Sequence, residues 1–411
     1  MKELPLNTVQ CGDCREVMAT YPDDSVDLVV TSPPYWGLRD YGGSPQVYGG
    51  NPTCEHQWVD KKAKLNNENR QGLSSNTLNV GEKAQNLHGY GESLQSYCFK
   101  CGAWRGSLGL EPHPQMFIDH LVEISREIKR VIKPSGSFWL NLGDTYCSMK
   151  GSMNNVGGGE TSLPQKAFKE LTRNQNPNRM LKLDGGWLQP KQLLGIPWRV
   201  AAALQDDGWI LRNCVIWFKP NHMPESVKDR LTKSYEFFFF FVKQRKYYFN
   251  LDTIREPATT KPWTTEPGKY KENNPRASYS GKFSDVDTSI LTSPRARQVD
   301  RENVSYYHPN GKNPGDVWEI PTQPFPGSHF AVFPPDLIEP IIKSSSPKKG
   351  IVLDPFAGSG TALRVARKLG RSFIGIELNP EYAAMCEQRV RADTYTKPPE
   401  GVPTLTEMFE K

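Results

Sequence analysis

The stretch IVLDPFAGSGTA, residues 351–362, decides the fold. An apolar run ends in Asp354, a turn with two glycines follows, and TALRVARKLG continues as a helix. A strand, a glycine turn and a helix start form the unit from which open α/β sheets build ligand sites, at the carboxyl end of the strand. Gly358 and Gly360 let backbone approach a ligand closely. The next strand, SFIGIEL, carries Glu377, 17 residues after Gly360. That is near the spacing at which a nucleotide-binding βαβ unit places an acid on ribose hydroxyls. The loop is not GxGxxG and lacks the Lys of GxxxxGK[ST], so it supports neither a dinucleotide nor a nucleoside triphosphate. Asp354-Pro355-Phe356 suits an adenosyl ligand without phosphates. The plainer alternative is a tight turn whose glycines serve packing.

Outward from this loop the αβ order continues. PPDLIEPIIKSS reads as a helix before it, and NPEYAAMCEQRVRA as a helix after it. Upstream, DSVDLVV (24–30) reads as a short buried strand. PQMFIDHLVEISREIKRVI places Phe117, Leu121, Ile124, Ile128 and Val131 at helical spacing. KPSG (133–136) reads as a stop and SFWLNLGD as a strand. IPWRVAAALQDDGW reads as a helix and turn, and ILRNCVIWFK and SYEFFFFFVKQRKYYFN as strands. Strands alternating with helices imply an α/β fold, a doubly wound, mostly parallel sheet covered on both faces. Large polar insertions at 41–97 and 147–190 and a basic stretch at 252–328 interrupt it.

Composition sets outer bounds. Apolar residues make up 37% of 411, enough for a core, and the net charge of +6 permits a polyanionic partner without requiring one. No stretch approaches eighteen consecutive apolar residues, and MKELPLNTVQCGDCREV carries no basic region followed by an apolar run, so we expect neither a membrane span nor a signal peptide, and a cytoplasmic protein. Eight cysteines in such a chain read as thiols or metal ligands rather than a disulfide framework.

TSPPYW, residues 31–36, follows the buried strand directly. It is stiffer and more aromatic than a turn needs. TSPPYW and DPFAGSGT together resemble the amino-methylating DNA methyltransferases that use S-adenosylmethionine, with their (D/N/S)-P-P-(Y/F) catalytic motif and FxGxG cofactor motif. The catalytic motif comes first here, which resembles the β group, a circular permutation of the Rossmann-like methyltransferase fold. The resemblance implies a catalytic half at 1–40 and 111–250, an insertion at 41–110, a target-recognition region at 252–328, a cofactor-binding half at 329–395 and a tail at 396–411. It implies Ser32, Pro33, Pro34 and Tyr35 as catalytic residues. It implies cofactor contacts from Asp13, Thr31, Phe330, Asp354, Pro355, Phe356, Ala357, Gly358, Ser359, Gly360, Thr361, Glu377 and Asn379. Duplex DNA is the implied partner, with a second copy of the chain and a cognate restriction endonuclease as further candidates, in a bacterial or phage-encoded protein.

The residue types suit this chemistry. An exocyclic amine is a poor nucleophile because its lone pair is conjugated into the ring. Acceptors on both amino hydrogens favour pyramidal nitrogen, and Ser32 Oγ with the Pro33 carbonyl form a pair that two prolines fix in direction. Transfer is then positioning plus electrostatics. A base inside a duplex must be flipped out, costing roughly a few kcal/mol. Stacking on Tyr35 would recover on the order of 1–3 kcal/mol, with Trp36 expected to wall the base pocket. The Ser form is more usual for cytosine N4 than for adenine N6. Methylation at a ring carbon needs a nucleophilic Cys, typically in Pro-Cys, and no Pro-Cys occurs. Methylation of RNA or of a protein glutamine uses related Asn-Pro-Pro-Tyr motifs, and the permuted order and basic insertion argue against it. A non-catalytic, zinc-containing DNA-binding protein is the remaining alternative.

CEHQW supplies Cys54 and His56, and YCFKCGAW supplies Cys98 and Cys101. Two clusters of soft or borderline ligands suit tetrahedral zinc. The 41 polar residues between His56 and Cys98 could not bury a core unaided. The segment is similar to a CxHxW…CxxCGAWRG insertion of related methylases. The expected role is structural and close to DNA, against the alternative of loop thiols. Cys11 and Cys14 read as ordinary thiols. In 252–328, Lys and Arg alternate with Trp263, Tyr270, Tyr279, Tyr306 and Tyr307, a composition for phosphates and bases.

Overall fold

The period-2 burial of SYEFFFFFVK shows how this sheet is built. In a computed structural model of the chain, Phe239 and Phe241 point into one apolar core, while Phe238 and Phe240 point into a second on the opposite face. Neighbouring strands divide the same way, with Val29, Phe138, Leu140 and Leu353 on one side and Leu28, Val30, Trp139 and Val352 on the other. A sheet buried on both faces must be covered on both by helices.

The structure describes residues 3–38, 41, 44–60, 96–147, 188–257, 310–323 and 333–392. Among these, the strands in chain order are β1 (Thr8–Cys11), β2 (Val26–Thr31), β3 (Gln46–Tyr48), β4 (Trp58–Asp60), β5 (Ser96–Cys98), β6 (Trp104–Gly106), β7 (Ile132–Leu142), β8 (Ile210–Phe218), β9 (Tyr235–Val242), β10 (Val317–Glu319), β11 (Ile351–Asp354) and β12 (Ser372–Glu377). The helices are α1 (Cys14–Met18), α2 (Pro114–Val131), α3 (Ile196–Asp206), α4 (Pro335–Ser345), α5 (Thr361–Lys368) and α6 (Pro380–Arg391).

The main sheet runs β1-β12-β11-β2-β7-β9-β8-β10. Every neighbouring pair is parallel except the two that involve β9. Helices α1, α2 and α3 pack on one face, and α4 and α5 on the other. The expected α/β, doubly wound, mostly parallel sheet is what forms. From β11 the chain winds through α5 to β12 on one side, and from β2 through α2 to β7 on the other. The topological switch point, where such sheets bind ligands, therefore lies between β11 and β2.

Local chemistry sets the helix ends. His113 caps α2 through Nδ1, which accepts from Gln115 N–H at 3.0 Å, and Pro114 occupies the first helical position. Asn379 caps α6 in the same way, with Pro380 next. The helix α2 ends at Val131, just before KPSG, as expected. Val26 pairs with Ile132 and Leu28 with Ser137, so β7 starts at once after α2 and the KPSG residues bulge from the ladder.

The chain divides into two units, Met1–Asn250 with Gly315–Lys411, and Leu251–Pro314. In the second, the described part is a 3-10 turn at Leu251–Thr253 and a bridge between Glu256 and Lys312. Trp263, Tyr270, Tyr279, Tyr306 and Tyr307 lie outside the described residues, as do most of 252–328, all of 148–187 and the tail. No helix among the described residues is long and apolar enough to cross a membrane.

Candidate active site

β2 and β11 lie side by side in parallel, Leu28 opposite Val352 and Val29 opposite Leu353. TSPPYW leaves the end of one and DPFAGSG the end of the other. A buried hydrogen bond joins the two exits, Thr31 Oγ1 donating to Asp354 Oδ1 at 2.6 Å. Asp354 also accepts Phe356 N–H at 3.1 Å. Burial raises the Asp354 carboxyl to about 7, with the Glu377 charge adding to the rise and the Thr31 and Phe356 bonds opposing it.

The glycine loop takes the shape its glycines allow. Gly358 and Gly360 have φ of 50° and 75°. A Cβ on Gly360 would lie 2.6 Å from Cys386 Sγ. Glu377, at the end of β12, accepts Gly358 N–H on one oxygen at 2.8 Å and Asn379 N–H on the other at 3.0 Å. Its carboxyl too is raised, by burial. Arg389, buried behind the loop, donates to Ser359 O at 2.7 Å and to Thr361 Oγ1 at 2.9 Å.

One pocket opens at these strand ends. Ser32, Pro33, Pro34 and Tyr35 line it, and so do Asp13, Phe333 and Glu377. Asp354, Pro355, Phe356, Ala357, Gly358, Ser359 and Thr361 complete the loop side. A backbone held at positive φ, the carboxyl groups of Asp13, Asp354 and Glu377 and apolar walls fit an adenosyl ligand carrying cationic groups. Thr31, Gly360 and Asn379 act from behind the lining. Thr31 binds Asp354, Gly360 opens α5, and Asn379 Nδ2 holds the Tyr41 carbonyl at 3.1 Å, Tyr41 itself lining the pocket. Phe330 lies outside the described residues.

Tyr35 is anchored at its hydroxyl, 2.8 Å from Asn141 Oδ1 and 2.8 Å from Glu236 Oε2, and Ser32 Oγ donates to it at 3.3 Å. Asn141 is oriented by its Nδ2, which donates to the Phe237 carbonyl at 3.0 Å, and Glu236 is ion-paired with Lys219. Burial, then the Glu236 charge, push the Tyr35 phenol well above its usual range, so it stays a donor. Gly143 lets the ring sit close, since a Cβ there would meet Tyr35 Cε2 at 2.6 Å.

Trp36 corrects an expectation. It does not line the pocket; it is 3% exposed in the core, with Nε1 donating to the Glu111 carbonyl at 3.0 Å. The chain turns at Gly37 (φ 71°), whose N–H binds Gly109 O, and the indole follows the turn inward.

Asp13 caps α1 and holds Arg15 through both carboxylate oxygens. Cys14 is buried, which pushes its thiol far up, and Cys11 is an exposed free thiol. Sequence reasoning missed Gln46, Tyr48, Ser107 and Leu108, pocket residues that come from the 41–110 insertion. The alternation of Gln46-Val47-Tyr48 is only three residues long, too short to mark them.

That insertion forms a second, antiparallel sheet of order β3-β6-β5-β4. Cys54, His56, Cys98 and Cys101 converge at its end, their ligand atoms all within 4.8 Å of one another. Cys54 Sγ lies 3.9 Å from Cys98 Sγ, and Cys101 Sγ 3.4 Å from His56 Nδ1. A tetrahedron with zinc–sulfur legs of about 2.3 Å has edges of about 3.8 Å. Burial would raise the Cys98 thiol, but the Cys101 N–H, the His56 ring and the Gln57 and Lys100 N–H groups draw it down to about 6.

Comparison with known proteins identifies the family. A family model described as DNA methylase, of the N6/N4 type, matches residues 26–388. The type II methyltransferase M.XycI of Xanthomonas campestris pv. cyanopsidis is 33% identical over 92% of this chain and 86% of its own. M.SmaI of Serratia marcescens is 33% identical over 92% of this chain and 89% of its own. The solved structure of PvuII DNA methyltransferase (cytosine-N4-specific) aligns with 98% of this chain and 90% of its own at 16% identity and a TM-score of 0.49. With a site of this geometry and a family match across most of its length, the chain belongs to the N6/N4 DNA methylase family.

Proposed function

We propose that the chain transfers the methyl group of S-adenosylmethionine to the exocyclic N4 amine of a flipped cytosine at a specific site in duplex DNA. The observation that carries this reading is the convergence of Ser32–Tyr35 and the Asp354–Thr361 loop on one pocket, tied by the Thr31–Asp354 bond. The glycine loop, Glu377 and Asp13 hold the cofactor, which supplies an electrophilic methyl group. Ser32 Oγ and the Pro33 carbonyl accept the two amino hydrogens, and Tyr35, locked by Asn141 and Glu236, presents its ring to the base. Positive charge developing on the amine meets fixed dipoles rather than solvent. Cytosine is favoured over adenine by Ser32 at the head of the motif. Residues 252–328, rich in Lys, Arg and aromatics, are assigned to target recognition.

The Cys54, His56, Cys98 and Cys101 cluster is assigned to structural zinc, on its donor set and its spacing. The setting is the bacterial cytoplasm, alongside a restriction endonuclease of the same specificity, as the type II names of the relatives suggest.

The test uses unmethylated DNA, labelled cofactor and the full chain, followed by digestion to nucleosides and mass spectrometry. N4-methylcytosine is expected. N6-methyladenine would overturn the choice of base, and absence of transfer to any DNA would overturn the reading as a whole.

A further inference from the structure

The metal cluster stands next to the cofactor pocket through the small sheet. β3 carries Gln46 and Tyr48 on one face, both in the pocket lining, and Val47 on the other, exposed. β3 pairs with β6, Tyr48 opposite Trp104 and Gln46 opposite Gly106, and Ser107 and Leu108 of the pocket follow β6 directly. Two residues beyond Tyr48 the backbone presses on the cluster. Gly50 sits at φ 75°, and a Cβ there would lie 2.8 Å from Cys101 Sγ and 2.6 Å from Ala103 Cβ.

Tyr48 also joins the wall to Asp13. The Arg15 guanidinium lies 3.9 Å over its ring, and the same Arg15 grips Asp13 at 2.6 Å and Glu123 at 2.6 Å. The other ring contacts are His120, stacked at 4.2 Å, and Trp104 at 5.8 Å. Four strands of three residues each make a sheet too small to enclose a core of its own. A sheet of this size depends on a crosslink for its shape, as small metal domains do.

We infer that a zinc ion held by Cys54, His56, Cys98 and Cys101 fixes the Gln46–Tyr48 wall, so that metal occupancy and cofactor affinity are thermodynamically coupled. The inference rests on the zinc reading above and changes its role, from a DNA-side prop to a support of the cofactor pocket. If bound metal orders the wall, stripping it leaves β3 free to move and the cofactor must then order the wall itself. Coupling is reciprocal, so bound cofactor must in turn raise the affinity for the metal by the same factor.

The test measures both directions on the full chain. Zinc content is measured by elemental analysis, and S-adenosylmethionine affinity by calorimetry, before chelation, after chelation and after zinc is restored. About one zinc per chain is expected, with affinity falling at least about tenfold on stripping and returning on reloading. Should the stripped protein unfold, the equilibrium distribution of zinc between the protein and a competing chromophoric chelator, with and without saturating cofactor, carries the same information. Tighter zinc retention with cofactor is expected, and this effect should vanish in Y48A while the zinc content of Y48A stays intact. Equal cofactor affinity with and without zinc, or equal zinc retention with and without cofactor, would overturn the coupling and leave the zinc reading standing. A chain that contains no zinc and takes none up would overturn both.

Discussion

Thr31 Oγ1 and Asp354 Oδ1, 323 residues apart in sequence, are joined by a buried hydrogen bond of 2.6 Å. This contact holds the end of β2 against the end of β11. Removing the hydroxyl leaves Asp354 with one donor, the Phe356 N–H. Thr31→Val keeps the β-branched shape, so the loss is polar. It should lower stability by about 1–3 kcal/mol, the cost of leaving a buried acceptor short of a partner. Thr31→Ser should retain most of it. Urea denaturation of the three proteins checks this; equal midpoints for Val and wild type would show that the bond contributes nothing.

The raised Asp354 carboxyl makes stability depend on pH in a specific direction. Its folded-state value of about 7 lies above the ordinary 3.8. Between those values the folded chain keeps a proton that the unfolded chain releases, so stability falls as pH rises from about 4 to about 7 and levels off beyond. Asp354→Asn should remove that part of the slope, amounting to roughly 2–4 kcal/mol across the window. Unfolding free energies of both proteins at pH 5 and pH 8 give the difference. An identical pH dependence would place the titration elsewhere.

Tyr35 separates catalysis from cofactor binding. Tyr35→Phe keeps the ring but releases Ser32, Asn141 and Glu236 from the shared hydroxyl. Single-turnover methyl transfer should slow by about 10–100-fold, within the range of a lost positioning contact. Calorimetric affinity for S-adenosylmethionine should stay within about twofold. A matching loss in both would mean that the hydroxyl shapes the pocket rather than the reacting base. Glu236→Gln, which keeps the shape but breaks the Lys219 ion pair, should fall between the two proteins.

Much of the fold is legible because its strands are long or buried on both faces. The FFFFF run of β9 cannot satisfy a one-sided strand, and IVLDPFAGSGT carries its own turn chemistry. β1 was not legible: TVQC is four residues, only part-buried, at the sheet edge. The second sheet was not legible either, since three-residue strands give alternation no length to register, although the cysteine spacing marked its end. KPSG ends the helix as its turn residues imply, but those residues then bulge within β7 instead of standing between helix and strand. Trp36 shows the limit at the site. Residue type placed an aromatic after SPPY, but the partner of its indole, the Glu111 carbonyl, lies 75 residues on in the core. Pocket residues from the insertion, such as Gln46 and Ser107, depend on a tertiary contact that no local pattern encodes.

Gly360 offers a test of why the loop needs glycine. Its φ of 75° strains any L side chain, and its Cβ would also meet Cys386 Sγ at 2.6 Å and Val390 Cγ2 at 3.0 Å. The two causes separate in a double mutant. Gly360→Ala should cost about 2–4 kcal/mol, combining left-handed strain of about 1 kcal/mol with overpacking of about 1–3 kcal/mol. Adding Cys386→Ala, measured against Cys386→Ala alone, should recover the overpacking part and leave the strain. If the second mutation recovers nothing, backbone conformation alone dictates the glycine. If it recovers everything, packing against α6 does. Urea midpoints for the four proteins of the cycle give the coupling directly.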